Sequence, residues 1–129
     1  MILALKTAGD LVEMYLLDAS GAVLDQKIWH AERRLAHDLL GEIEKIIGDF
    51  KKLSGIIVFS GPGSFTGLRI GITTANAIAY SEQIPIIGAS GEDWILSGLK
   101  KLLDGQDDKI VLPEYGGQPT ITKPKNVVK

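Results

Sequence analysis

Apolar and polar residues along this chain first change rhythm near residue 32, where strand-like patterns give way to helical spacing interrupted by short apolar runs. Residues 2–7, apolar from Ile2 to Leu5, predict a short buried strand. Gly9 and Asp10 mark a turn. Residues 11–17 then alternate, with Val12, Met14 and Leu16 on one side and Glu13 and Tyr15 on the other. A second turn at residues 18–21 leads to another alternating stretch, 22–29, in which Val23, Asp25 and Lys27 face one way and Leu24, Gln26 and Ile28 the other. Two turns this short predict an antiparallel meander of three strands.

After that the apolar positions recur every three or four residues. Leu35, Ala36, Leu39, Leu40, Ile43, Ile46, Ile47 and Phe50 form one helical stripe. Glu32, Arg33, Asp38, Glu42, Glu44 and Lys45 lie opposite it. Residues 55–60 are short and apolar throughout, as in a strand buried on both faces. A helix over 67–82, a strand over 84–88 and a helix over 92–103 follow. Ser90 and Asp93 suggest a capping box for the last of these. Residues 110–112 predict a final short strand. The order βββαβαβα implies right-handed crossovers and an α/β mixed sheet with three antiparallel strands at one side. Residues 1–106 read as one domain and 107–129 as a short tail over its surface.

Between the buried strand and the second helix stands Gly61-Pro-Gly-Ser-Phe-Thr-Gly-Leu-Arg-Ile-Gly71. Strand, glycine-rich turn and helix start are the ingredients of an anion site, because the first N–H groups of a helix point outward without intrahelical partners. Gly61, Gly63, Ser64, Thr66 and Arg69 are therefore candidate phosphate ligands. The spacing matches neither a Walker loop nor a dinucleotide fingerprint, and no lysine closes it. The alternative is a tight turn that lets the helix pack closely on its strand. Arg69 lies where the positive helix start disfavours a cation, which predicts an acidic partner for it.

The second helix has another peculiarity. Gly67, Gly71, Ala75 and Ala79 recur every four residues, and no charge stands between Arg69 and Glu82. A stripe of small residues permits close helix–helix approach. Gly67, Gly71, Thr74, Ala75, Ile78 and Ala79, with Leu39, Leu40 and Ile43 from the first helix, are therefore the expected partner surface. Coverage of the stripe by the chain itself is the competing explanation.

Composition narrows the class. The chain has 129 residues, 45% hydrophobic and 23% charged, with a formal net charge of -2. Those values suit one globular domain and give no basic field for holding nucleic acid unaided. There are no cysteines, which excludes disulfides and thiolate chemistry. No signal peptide and no apolar run near the roughly 20 residues of a membrane span are visible, so a cytoplasmic location without membrane contact is expected. His30 and His37 are too far apart to share a metal, and Asp104, Asp107 and Asp108 lack calcium-loop spacing. Trp29 and Trp94 suit packing. No Ser-His-Asp set, nucleophile–base pair or zinc motif suggests a protease.

The eleven-residue glycine motif resembles the signature of the TsaB (YeaZ) family. Residues 1–7, His37-Asp-Leu-Leu40, residues 75–80 and Ile84-Pro-Ile-Ile-Gly88 are similar to its flanking elements, and Pro113-Glu-Tyr and Ile121-Thr-Lys-Pro-Lys125 to its C-terminal end. The resemblance implies an actin-like, ribonuclease H-like (ASKHA) fold. It also implies a non-catalytic accessory subunit without metal or resident cofactor, ATP or ADP at a partner interface being the alternative. Such a subunit would pair its first two helices with a TsaD-like transferase that places threonylcarbamoyl on tRNA beside the anticodon. A TsaE-like ATPase would join the pair, tRNA would be met only through the complex, and a homodimer could use the same helix face. Two departures stand out: Lys6 where the family's first strand ends in Asp, and a passage almost directly from Lys109 to the closing tail where the family has a second actin-like half. A small ATPase or phosphotransferase using residues 61–71 is the second functional reading.

Overall fold

The computed structural model describes residues 1–31 and 33–114. Its elements are β1 (Ile2–Lys6), β2 (Leu11–Leu17), β3 (Val23–His30), α1 (Leu35–Ile47), a 3-10 turn (Phe50–Lys52), β4 (Gly55–Phe59), α2 (Phe65–Glu82), β5 (Ile86–Ala89) and α3 (Trp94–Leu103). The order is the expected βββαβαβα. The five strands form one sheet, β3-β2-β1-β4-β5. The first three are antiparallel, and β4 and β5 join β1 in parallel. Among the described residues no helix is long and apolar enough to cross a membrane.

The two faces of the sheet are covered differently. Ala4 pairs with Ile57 across β1 and β4, so both point to one side. α3 lies on that side: a Cβ at Gly98 would strike Ile57, and Trp94 meets Phe59 edge-on at 5.8 Å. α1 and α2 lie on the other side. They bury Leu3, Leu5, Met14, Ile56 and Val58 beneath Leu39, Ile43, Leu68 and Ala75. β1 and β4 are thus covered on both faces, which is why Ile2–Leu5 and Gly55–Phe59 carry no polar side chain. β3, at the sheet's end, is almost wholly exposed. Each large aliphatic side chain fully withdrawn from water here contributes roughly 1.5–3 kcal/mol.

Three local expectations are corrected. Ser90 and Asp93 form no capping box: Asp93 occupies the N-cap of α3 without a side-chain cap bond. The strand after α2 begins at Ile86, two residues beyond Ile84. Residues 110–112 are not a strand. Segment 107–114 is instead tied to the sheet edge by side chains. Asp107 Oδ1 accepts from Ile86 N–H (3.1 Å), Asp108 Oδ2 accepts from Gly88 N–H (2.8 Å), and Asp108 N–H donates to Ile86 O (2.9 Å). The aspartate cluster thus satisfies the open edge of β5, and among the described residues no group of three or more acidic, His or Cys side chains could hold a metal ion. The segment then reaches α2, where Asn76 binds Val111 twice, through Nδ2 to Val111 O (3.0 Å) and from Val111 N–H to Oδ1 (2.9 Å). Glu114 N–H ends it on Ser60 O at 2.7 Å. Residues 115–129, which carry the rest of the expected tail, and Glu32 lie outside the described residues.

Asn76→Ala removes both bonds to Val111 and leaves that buried amide without a partner. We expect a loss of about 1–3 kcal/mol in urea unfolding, with hydrogen exchange at Val111 accelerated more than at Leu5.

Candidate functional site

The glycine motif is shaped by close approach to its own chain. Gly61 has φ +126, and a Cβ there would overlap Glu114 O. A Cβ on Gly63 would stand 2.6 Å from Ala8 O, and Ser64 N–H donates to that same carbonyl at 2.9 Å. One turn on, a Cβ at Gly67 would overlap the carbonyl of Thr7. Another turn on, a Cβ at Gly71 would overlap the Thr7 hydroxyl. Thr7 is only 1% exposed, and its Oγ1 donates to Gly67 O at 2.7 Å. α2 therefore rides directly on the end of β1, backbone against backbone, and the tight-turn reading explains the glycines.

This geometry rearranges the candidate residues. Of the expected phosphate ligands, Gly61 and Gly63 face Glu114 and Ala8, and the Ser64 N–H is already bonded. Thr66 and Arg69 are exposed. The acidic partner expected for Arg69 is not found: among the described residues it makes no ion pair, and its guanidinium carbon lies 5.7 Å from the Phe65 ring centroid. Of the expected partner surface, Gly67, Gly71, Ala75, Ile78 and Ala79 turn toward the sheet, as do Leu39 and Ile43. Small residues every fourth position serve the helix–strand contact, so the stripe is the inner face of α2. Only Leu40, 46% exposed, and half-buried Thr74 stand on the solvent side.

The solvent side has a character of its own. Phe65, Arg69, Thr73, Ala77 and Ser81 run along α2 one turn apart, beside Thr66 and Tyr80. Arg69 is the one charge on the helix before Glu82. Phe65 is 56% and Tyr80 80% exposed. A groove between this face and α1 contains two depressions of about 480 and 420 Å³. Ala36, Thr73 and Thr74 border both, and Leu40, Phe50 and Ala77 line the second. The sequence signal for this face was the same absence of charge that drew attention to the glycines, but one helical side over.

Around Lys6, on the α3 side, the sheet carries polar residues. Lys6 Nζ lies 4.5 Å from the Phe59 ring centroid and 3.9 Å from Glu13 Oε2. Tyr15 donates its hydroxyl to Glu13 Oε1 at 2.7 Å. Burial, aided by this acceptor and its charge, pushes the Tyr15 phenol up to about 12. On α1, His37 Nδ1 stands 2.8 Å from Asp38 Oδ1, and this bond, with Arg34 nearby, holds the Asp38 carboxyl below the usual range. Their side chains are 72% and 44% exposed, as in a solvated pair.

Residues 30–106 match the model of the family described as TsaD, tRNA N6-adenosine threonylcarbamoyltransferase. The chain belongs to this family. The tRNA threonylcarbamoyladenosine biosynthesis protein TsaB of Bacillus subtilis is 46% identical over 54 residues, which are 42% of this chain and 22% of that one. The tRNA N6-adenosine threonylcarbamoyltransferase of Halalkalibacterium halodurans is 45% identical over 40 residues, 31% of this chain and 12% of its own. The solved structure of YeaZ from Pseudomonas aeruginosa superposes with a TM-score of 0.62 and 28% identity, covering 69% of this chain and 43% of that one. A second solved structure, of a protein described as similar to peptidase YeaZ from Pseudomonas aeruginosa, gives the same TM-score. The matches thus span less than half of these relatives. The TsaB (YeaZ) resemblance of the glycine motif holds, and the five-stranded mixed sheet with its three helices is the actin-like fold of YeaZ.

Two outcomes follow. Gly71→Ala pushes a methyl into the buried, hydrogen-bonded Thr7, so the fold loses about 1–3 kcal/mol, read as a lower urea midpoint. Tyr15 keeps its proton in the folded chain above the pH at which the unfolded chain releases it. Stability therefore falls as pH climbs from 10.0 toward about 12, and Tyr15→Phe removes most of that fall in pH-dependent denaturation.

Proposed function

We propose that this chain is a TsaB-like accessory subunit that binds a TsaD-like transferase in the threonylcarbamoyladenosine modification of tRNA. The observation that supports this most is the outer face of α2, exposed and carrying Arg69 as its one charge before Glu82. An exposed helix face so poor in charge, beside an apolar groove, is the signature of a protein contact. The partner's own helices would enter the groove between α1 and α2, with Leu40, Thr73, Thr74 and Ala77 beneath them and Phe65 at one end. In this reading the chain is a scaffold rather than a catalyst. It needs no resident cofactor, works in the cytoplasm, and meets tRNA and a TsaE-like ATPase only through the complex.

The test is co-purification with the TsaD-like protein of the same cell, followed by a transfer assay with and without this chain. Ala77→Arg adds a charge to the outer face without touching the core. We expect it to lower capture of the transferase at least about tenfold, a loss of roughly 1.4 kcal/mol, while the melting temperature stays within a few degrees. Full retention of capture by this variant overturns the reading. So does micromolar ATP binding with turnover by the purified chain alone, which would place the chemistry in this polypeptide.

A further inference from the structure

A second surface lies far from α2, at the other end of the sheet. Among the described residues β3 has one neighbour, β2, and its outer edge is open. Seven of its eight residues are exposed, among them Val23 at 51%, Leu24 at 53% and Ile28 at 46%. The hydrogen-bond phase shows which backbone groups face outward. Ala31 N–H donates to Asp10 O across the β2–β3 pair at 2.7 Å. Bonded positions alternate in an antiparallel pair, so Trp29, Lys27 and Asp25 also turn toward β2. Gln26, Ile28 and His30 then offer N–H and C=O to the outside. In keeping with this, Gln26 N–H donates to the carboxylate of Asp25 at 2.8 Å.

We propose that this edge pairs with the same edge of a second copy of the chain, antiparallel about a two-fold axis through Ile28. An axis perpendicular to the sheet keeps each face continuous, so paired residue numbers must sum to an even value. Centring on Gln26 would require Leu24, at the irregularity opposite Leu16 and Leu17, to continue the ladder. Centring on Lys27 would oppose two lysines. Centring on Ile28 pairs that apolar side chain with its own copy and sets Gln26 against His30. It also sets Lys27 against Trp29 at a non-bonded position, where side chains approach most closely. These two already attract within one chain, Lys27 Nζ lying 5.2 Å from the Trp29 ring centroid. Lys27 Nζ also bonds Glu42 on α1, which holds the ammonium at this edge, where the indole of the second copy would approach it across the axis. The edge is self-complementary in this register, and the two sheets would join into one of ten strands.

The pairing is short, so the dimer forms at high protein concentration. The chain contains no cysteine, so a single introduced thiol reports the register without interference. Hydrogen-bonded opposite positions lie about 5.5 Å apart between Cα atoms, within disulfide reach. Under mild oxidation we expect Ile28→Cys to form a covalent dimer at least about tenfold faster than Leu96→Cys, a slightly more exposed position on α3, because the paired edge raises the effective thiol concentration. Gln26→Cys alone should remain monomeric, whereas Gln26→Cys combined with His30→Cys should cross-link. An Ile28→Cys rate no greater than that of Leu96→Cys overturns the proposal. So does faster dimerisation of Gln26→Cys alone, which would move the axis. Neither result depends on α2, so this outcome and the capture of a transferase are decided separately.

Discussion

The contact between Thr7 and the inner side of α2 governs the rest of the structure. Thr7 follows β1 where the chain turns toward β2, and its carbonyl and hydroxyl fill the space that side chains at Gly67 and Gly71, respectively, would take. A helix that approaches a strand end this closely has room only for small residues along the line of contact, and α2 places Gly67, Gly71, Ala75 and Ala79 there, with Leu68, Ile72 and Ile78 packing to either side. That requirement fixes the rotation of the helix about its axis. The rotation in turn decides what solvent sees: Phe65, Arg69, Thr73, Ala77 and Tyr80, with α1 alongside. The surface chemistry of this chain is thus a by-product of one intimate backbone contact.

The C-terminal segment depends on the same helix. Asn76 lies one residue beyond Ala75 on α2, turned toward the sheet edge, and holds Val111 by both backbone groups. Val111 is 5% exposed and occupies the space beside Gly88 that a side chain there would need. The aspartates that follow α3 complete the arrangement by accepting from the N–H groups of β5. The glycine turn, α2, β5 and segment 107–114 consequently form one connected unit, with Gly61 touching Glu114 at the place where the turn begins.

Much of this was legible in the amino-acid pattern, and the rest was not for identifiable reasons. The meander, both crossovers and the mixed sheet follow from a change of period that local geometry enforces. The glycine motif pointed to its family because it is long and has little freedom to vary. The direction of the small-residue stripe was not legible: a four-residue repeat says which positions share a side of a helix, but a strand and a helix demand the same small residues of the surface they touch. Asn76 and Val111 are separated by 35 residues, and no spacing rule links an amide side chain to a backbone so far away. Asp107 and Asp108 were legible only as loop aspartates without calcium-site spacing, because acceptors for an open strand edge have no periodic signature. Arg69 was expected to find a carboxylate and instead stacks near Phe65, since a flat cation four residues from an aromatic ring meets it within one helical turn.

α2 contains Thr66, Gly67, Gly71, Thr73 and Thr74 within nine residues, all poor helix formers. On its own such a segment has little reason to coil, and its stability is borrowed from the strand beneath it. That strand lies some sixty positions earlier, the Thr7–Gly67 bond spanning 60 residues. Closing so wide a loop before any local reward arrives is entropically slow. The winding of α2 is therefore coupled to a long-range contact, so a change at Thr7 acts on the helix as well as on the strand it follows.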